Sequence, residues 1–381
     1  MRILHVDIPL DPVAGRGPAQ RTLEVSRAMK RAGIANDILT ASRSMPEYVD
    51  KLKFTQISVF IFSTDGSASP SSKRKQITRI IAPYDLVHIT NHWTYVNALV
   101  YHACKKQQKP YVICPAGDTA LSVRTGLLKR LFNALVGLNP IRQAAAHVAI
   151  SPAEIFWFKE YGVNEKEITI IPNGINPDEF TVLPDHGFRK RLGPGTAPYI
   201  LFAGRLDKKN APDLLLQAYV AAAGRELGQY HLVFAGPQGD FDRKRQMAAC
   251  GAEFHGKIHF PGFLGREETA RAYHGAELLV VPCRRTNMPV TALEAGICAT
   301  PVLLTEPCGF DDLQTAGGAM VVPASEEGLR HGLRTLCRDR QNLHSMGNKL
   351  QEHVLSHYTW DAAAQKHLRL YQRILRSDRQ S

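Results

Sequence analysis

Two unbroken apolar runs bracket a short helical pattern between residues 277 and 304, and this unit limits the folds open to the chain. Glu277-Leu278-Leu279-Val280-Val281-Pro282 shows no polar alternation after its first residue, the signature of a strand buried on both faces. Pro301-Val302-Leu303-Leu304 is a second such run, and Val290–Ala295 between them has helical character. Strands of this kind belong to parallel sheets joined by crossover helices. The same alternation runs through the rest of the chain, and it does so twice.

Residues 1–177 carry the first series, with strands expected at Ile3–Val6, Ile57–Phe62, Leu86–Ile89, Tyr111–Ile113, Val148–Ile150 and Glu167–Ile171. A helix from Ala19 to Arg31 closes at Gly33, and Ser151-Pro152-Ala153-Glu154 has the residues of a capped helix start. Ser67–Lys75 is expected to be a polar loop and Asn173-Gly174 a turn. The second series starts with the strand Tyr199–Gly204 and a helix from Pro212 to Ala223. It continues through strands at His231–Ala235 and Ile258–Phe260 and ends in a helix from Tyr358 to Arg376. A chain of 381 residues exceeds one ordinary core, so two domains are expected. They are 1–180 together with 358–381, and 195–357, joined by the Pro-, Gly- and charge-rich linker Thr181–Pro198.

Hydrophobic residues make up 44% and charged residues 22%, which excludes a disordered or collagen-like chain. Seven cysteines are scattered and none forms Cys-x-x-Cys, a pattern that points away from disulfides and structural zinc and toward a reducing cytosol. The start MRILHVDIPL is interrupted by His5 and Asp7, so it is a first strand and not a signal peptide. No run is long enough to span a membrane. A cytoplasmic protein is expected, with the inner face of the membrane as its second location.

Net charge is +12 and the isoelectric point about 9.4, which suits nucleic acid, an anionic membrane or a polyanionic small molecule. No nucleic-acid motif accompanies the charge, so no nucleic-acid partner is expected. Between Asp118 and Glu154 there is no acid, while Arg124, Lys129, Arg130 and Arg142 lie among Leu128, Leu131, Phe132 and Leu135. Residues 121–145 are therefore either an interfacial membrane contact or a core-facing helix with solvated cations.

Chemistry-bearing residues collect at the carboxyl ends of the expected strands, where open α/β sheets bind ligands. Arg205, Lys208 and Lys209 follow the strand Tyr199–Gly204 and form either a phosphate site or a solvated basic loop. Pro289 fits a first helical turn, leaving the N–H groups of Asn287, Met288 and Val290 to face a hydroxyl or anion. Glu294, about one turn in, either accepts from vicinal hydroxyls or is an ordinary solvated carboxylate. Gly15 and Gly17, after the first strand, let backbone approach a diphosphate. His92 and Asp118 follow the strands ending at Ile89 and Ile113, and His92 beside Trp93 suits a structural role as well.

These residues resemble the family-four retaining glycosyltransferases, the glycosyltransferase group 1. The donor motif of that family runs roughly Pro-Ser-x-x-Glu-Gly-Phe-Pro, three residues, Leu-Glu-Ala, then Gly-x-Pro-Val. Here it matches at Pro282, Met288, Pro289, Leu293-Glu294-Ala295 and Thr300-Pro301-Val302, with Cys308-Gly309-Phe310 beyond. The first glutamate of the motif falls on Thr286, and the usual histidine of Pro-His-Gly falls on Ala116. The resemblance spans essentially the whole chain and is strongest in its second half. It implies an α/β protein of two Rossmann-like domains facing across a cleft, the GT-B arrangement, with a C-terminal helix crossing back to the first domain.

By the same resemblance, Arg205 and a lysine hold the diphosphate of a nucleotide-sugar donor and act in catalysis. The family lysine stands five residues after the arginine, where this chain has Asn210, so the role passes to Lys209. Thr286, Asn287, Met288 and Pro289 face the transferred sugar, Glu294 the ribose, and Gly15 and Gly17 the donor phosphates, with His92 and Asp118 on the acceptor side. The implied activity is transfer of a sugar with retained configuration to a saccharide or lipid-linked acceptor, a precursor of cell-envelope or exported polysaccharide. No cofactor or metal is expected, because no Asp-x-Asp stands in a fitting context. The second reading is a weakened nucleotide-sugar-binding or scaffold relative, since Thr286 and Ala116 each remove a group near the reacting sugar.

Overall fold

The computed structural model describes residues 1–10, 16–41, 56–63, 69–91, 94–116, 139–182, 187–222, 227–284 and 288–378. Two compact units make up the chain: Met1–Gly174 with Trp360–Ser381, and Ile175–Thr359. The boundaries therefore fall after residues 174 and 359, not in the linker expected at Thr181–Pro198. Phe188–Leu192 in that stretch is a helix whose two end residues are buried in the core of the second unit. Asn173-Gly174 forms no turn, and the Asn173 side chain is held by Arg21.

The first unit is a seven-stranded sheet, parallel throughout. Its strands are β1 (Arg2–Val6), β2 (Ala35–Ala41), β3 (Val59–Phe62), β4 (Leu86–Thr90), β5 (Tyr111–Cys114), β6 (Ala146–Ala149) and β7 (Ile168–Ile170). They lie in the order β3-β2-β1-β4-β5-β6-β7. The helices are α1 (Arg16–Arg31), α2 (Pro70–Ile81), α3 (Tyr95–Lys106), α4 (Asn139–Arg142) and α5 (Pro152–Glu160).

Two elements depart from the apolar-run reading. Strand β2 is hidden in the sequence by Asn36, Asp37 and Thr40, all buried. Each has a partner: Asn36 Nδ2 donates to Ser26 O and Ile34 O, Asp37 accepts from Tyr84 Oη at 2.7 Å and Ser58 N at 2.9 Å, and Thr40 Oγ1 accepts from Leu10 N. The stretch expected as a polar loop, Ser67–Lys75, instead contains the start of α2. Ser69 caps it by accepting from Ser72 N at 3.2 Å, Pro70 takes the first position, and Lys73, Ile77 and Ile81 form its buried stripe.

The second unit repeats the plan with six parallel strands in the order β10-β9-β8-β11-β12-β13. They are β8 (Tyr199–Ala203), β9 (His231–Ala235), β10 (Ile258–Gly262), β11 (Leu278–Val281), β12 (Val302–Thr305) and β13 (Ala319–Val322). The helices of this unit are α6 (Phe188–Leu192), α7 (Pro212–Ala222), α8 (Arg243–Ala248), α9 (Arg266–Gly275), α10 (Val290–Ile297), α11 (Asp311–Thr315), α12 (Glu326–Leu336) and α13 (Arg340–His357). Tyr199 and Leu201 of β8 enter one core, Ile200 and Phe202 the other, so both sheet faces are covered. The β11–α10–β12 unit is the one written between residues 277 and 304.

In each sheet the strand order reverses once, between β1 and β4 and between β8 and β11. Strand ends diverge there and leave a crevice at the carboxyl edge. Beside the second of these points the backbone is unusually close. A Cβ on Gly236, whose φ is +149°, would lie 1.9 Å from Gly204 O.

The last helix, α14 (Trp360–Asp378), belongs to the first unit. Trp360, Ala363, Ala364, Leu370, Tyr371 and Ile374 are buried with Ile3, Val25, Ala28 and Met29. Beneath it lies a clasp around Arg21 of α1, a buried guanidinium. It donates to Ile171 O at 2.8 Å, Pro172 O at 3.0 Å, Asn173 Oδ1 at 2.9 Å and His367 Nε2 at 3.1 Å. His5, His88 and His367 crowd around it, with ring centroids 5.4 and 5.1 Å apart, and Tyr371 Oη meets His88 Nδ1 at 2.7 Å. Burial and the positive charge of Arg21 keep these imidazoles neutral: His5 is lowered to about 4, and His88 and His367 fall well below their ordinary value. All seven cysteines are free, and no helix among the described residues is long and apolar enough to cross a membrane.

Two consequences for stability can be measured. Between pH 6.5 and 4 the unfolded chain protonates His5 while the folded chain does not, so stability is complete above that window and declines as pH falls through it. At pH 5 His5 alone withholds about 2 kcal/mol. Buried Asp7, raised to about 7, works in the opposite direction by about 3 kcal/mol, leaving His88 and His367 to set the sign. The urea midpoint should be lower at pH 5 than at pH 7.5, and Asp7→Asn should deepen the drop; equal midpoints in both proteins would contradict the neutral-histidine cluster. Separately, Gly236→Ala forces a methyl group into Gly204 O at a positive φ, and should lower stability by about 3 kcal/mol or more in the same assay.

Candidate functional site

The crevice of the second unit is built from two strand ends, one loop and one helix start. A cavity of about 240 Å³ is lined by Phe202, Ala203 and Gly204 at the end of β8, by Val280, Val281 and Cys283 at the end of β11, by Asn210, and by Pro289, Val290 and Thr291 at the start of α10. Arg205 and Lys209 stand on the loop that contributes Asn210.

That loop is fixed by its backbone. Leu206 is buried, its N–H donates to Pro237 O at 3.0 Å and its carbonyl accepts from Phe241 N at 3.1 Å. Asn210 closes the turn twice, with its N–H on Asp207 Oδ1 and its Nδ2 on Arg205 O. Lys208 N donates to Asp240 Oδ1 at 2.9 Å. Arg284, after β11, clamps the loop from outside. It forks onto Asp213 at 2.8 and 3.1 Å, donates to Lys208 O at 2.9 Å, and its own N–H meets Lys209 O. Every tie uses backbone or the flanking side chains. Among the described residues, the exposed side chains of Arg205 and Lys209 have no ion-pair or hydrogen-bond partner. Neither lines the cavity; the wall position belongs to Asn210, the residue five after Arg205.

The approach to α10 differs from the expectation in one respect. Met288 N is not free: it donates to Cys308 O at 2.7 Å, which holds Met288 at a φ of +53°. Pro289 is the N-cap itself, with φ −62° and ψ 118°, so the donors left at this helix start are those of Val290 and Thr291. Val290 is 47% exposed and both residues line the cavity. Thr305 Oγ1 donates to Cys283 O at 2.7 Å and fixes the loop from the other side. Thr286 and Asn287 lie outside the described residues.

Glu294 is no free surface carboxylate. Tyr273 of α9 donates to its Oε2 at 2.7 Å, and burial raises its carboxyl above the ordinary value. Its other oxygen carries no hydrogen bond among the described residues.

In the first unit Gly17 sits inside the first turn of α1 and not in a loop, and a Cβ there would meet nothing within 4 Å. Gly15, His92, Asp118 and residues 121–138 lie outside the described residues. The titratable group described at this edge is Asp7, at the end of β1, which accepts from Asn91 Nδ2 at 3.3 Å. Asn91 itself has a φ of +63°, and Asn97 Nδ2 bridges Thr90 O and Asn91 O, both at 3.3 Å. Burial pushes Asp7 up to about 7. Asp7 Oδ2, Asn91 Oδ1 and Asn97 Oδ1 are buried without a partner among the described residues. The sequence signal for Asp7 was present as an acid interrupting a buried apolar run. Arg284 carried none, because its partner Asp213 is distant in sequence.

Comparison with known proteins fits this geometry. The family model for glycosyl transferases group 1 matches residues 186–353, and that for glycosyltransferase family 4 matches residues 15–179. An uncharacterized glycosyltransferase of Methanocaldococcus jannaschii is 24% identical over 97% of this chain and 98% of its own. A D-inositol 3-phosphate glycosyltransferase of Geodermatophilus obscurus is 27% identical over 77% of this chain and 72% of its own. Among solved structures, Anabaena HepE in complex with UDP has a TM-score of 0.76 at 16% identity, covering 98% of this chain and 100% of that one. Sucrose-phosphate synthase of Thermosynechococcus elongatus has 0.64 at 17%, covering 99% and 100%. Both Rossmann-like units are those of GT-B glycosyltransferase structures, and the chain belongs to the group 1 glycosyltransferases.

Proposed function

We propose that the protein transfers a sugar from a uridine diphosphate sugar to a hydroxylated acceptor, with retained configuration and without a metal. The carrying observation is the loop 204–211, whose backbone is tied by hydrogen bonds while the side chains of Arg205 and Lys209 have no partner among the described residues. Both cations are exposed at a strand end and open to an incoming anion, and a departing diphosphate gains negative charge in the transition state. Fixed cations lower that barrier with no reorganisation. Asp240 and Asp242, the Asp-x-Asp nearest this loop, are taken up as acceptors for the N–H groups of Lys208 and Arg245, which supports diphosphate binding through cations.

For the donor, HepE has been solved with UDP and with UDP-glucose, which supports a uridine nucleotide here. In this reading Val290 and Thr291 N–H and the residues at 286 and 287 meet the sugar, and Glu294, oriented by Tyr273, accepts from the ribose. Asp7, Asn91 and Asn97 oxygens suit an acceptor rich in hydroxyl donors, such as a saccharide precursor of envelope or exported polysaccharide, lipid-linked or free.

Arg205→Ala and Lys209→Ala should each lower turnover by about two to three decades, the effect of losing one fixed donor to the transition state, with the melting temperature unchanged. Activity should survive a chelator. Asn210→Ala and Lys208→Ala set the register: loss with Lys208→Ala and none with Lys209→Ala would move the second cation one place. Thr286→Glu should change sugar preference or rate by about tenfold, the worth of one charged hydrogen bond, while the affinity for UDP alone is retained. A collapse of UDP affinity in that variant would contradict the placement of residue 286 at the sugar.

A further inference from the structure

A concentration of positive charge lies between α2 and α3 of the first unit. Residues 70–110 contain seven Lys and Arg and one acid, Asp85, so this stretch supplies half of the chain's net charge of +12. Asp85 is already engaged, accepting from Arg2 N at 2.7 Å and lying 3.6 Å from the N-terminal ammonium. Between the two helices runs a cavity of about 450 Å³, lined by Arg74, Lys75, Thr78 and Arg79 of α2 and by Leu99, His102, Ala103 and Lys106 of α3. Its floor is apolar, since Leu99 and Ala103 are buried, and its rim is cationic.

We propose that this groove is a binding site for a phosphate or diphosphate group. The cations are not explained by helix stability. Helix α2 has no acid in its first turn and carries Lys73, Arg74 and Lys75 toward its amino end, where the helix dipole disfavours positive charge. Lys75 and Arg79 are four residues apart and repel each other along the helix. Among the described residues, Arg74, Lys75, Arg79 and Lys106 have no acidic partner. Neighbouring cations do find local roles: Lys109 Nζ donates to Ala82 O at 2.7 Å and to Tyr84 O.

A divalent anion answers this arrangement. Two guanidinium groups offer paired donors to phosphate oxygens, two ammonium groups supply point charge, and Thr78 adds a hydroxyl at the wall. The volume is that of a small-ligand site, and the apolar floor leaves room for whatever carries the phosphate. Lys75 and Arg79 also border a second hollow of about 630 Å³ against Phe60 and Ile61 of β3, so they are open to solvent from both flanks. The proposal is independent of the donor site, which lies in the other unit.

The test uses the full chain with UDP present to occupy the proposed donor site, and two probes, inorganic pyrophosphate by calorimetry and phosphatidylcholine vesicles containing phosphatidate by co-sedimentation. The triple variant Arg74→Ala, Lys75→Ala, Arg79→Ala is compared with Lys190→Ala, Lys244→Ala, Arg245→Ala, which removes equal charge from the second unit. The groove variant should lose at least about tenfold in binding and the control less than about twofold. Lys106→Glu should give the same loss from the opposite helix without touching α2. Groove-dependent binding of pyrophosphate identifies a soluble phosphate as sufficient, and groove-dependent capture of vesicles alone identifies a lipid headgroup; either supports the site. Equal losses in both triple variants, no binding of either probe, or groove-dependent binding of a short DNA duplex tighter than either probe would overturn it.

Discussion

A parallel sheet sends the carboxyl ends of all its strands to one edge, and every loop that leaves that edge must satisfy its own backbone. In the second unit this constraint is met by close packing of main chain. Gly204 and Gly236 come within a distance that no Cβ tolerates, and Leu206, Asp207 and Asn210 exchange hydrogen bonds with the loop after β9 or with one another. The resulting turn is rigid for reasons unrelated to any ligand. Its cations can therefore be held without partners, because the loop's shape does not depend on them. Arg284 serves the same end: its charge is spent on Asp213 and on Lys208 O, holding the loop from outside.

The fold was legible where burial is two-sided. Runs such as Leu278–Val281 and Val302–Leu304 allow no other partner than a helix-covered parallel sheet, and they became β11 and β12. Legibility failed where polar residues are buried in pairs. Asn36 and Asp37 interrupt the apolar run of β2, and the Tyr84 hydroxyl that donates to Asp37 is far away in sequence. It failed again at α2, where a serine- and lysine-rich start concealed a Ser69 cap and a buried Lys73–Ile77–Ile81 stripe.

The candidate site was legible by motif and less so by contact. Arg205, Lys209, Pro289 and Glu294 all fall at or near the carboxyl edge of one sheet, as strand-end positions must. What spacing could not disclose is which donors are consumed. Met288 N–H is spent on Cys308 O, a residue beyond the next strand, and Tyr273 reaches Glu294 from a different helix. Such pairings are set by register between elements, which only the packed chain defines.

Helix α14 closes the core of the first unit, yet its residues come last in the chain, after the whole of the second unit. Arg21, His88 and Ile3 are in place long before the helix that covers them has been synthesised. A ribosome therefore delivers a complete second unit before a complete first one, and the opening half of the chain waits with an uncovered apolar face and a buried-type arginine exposed to water. In order of synthesis, the second unit is thus complete before the first.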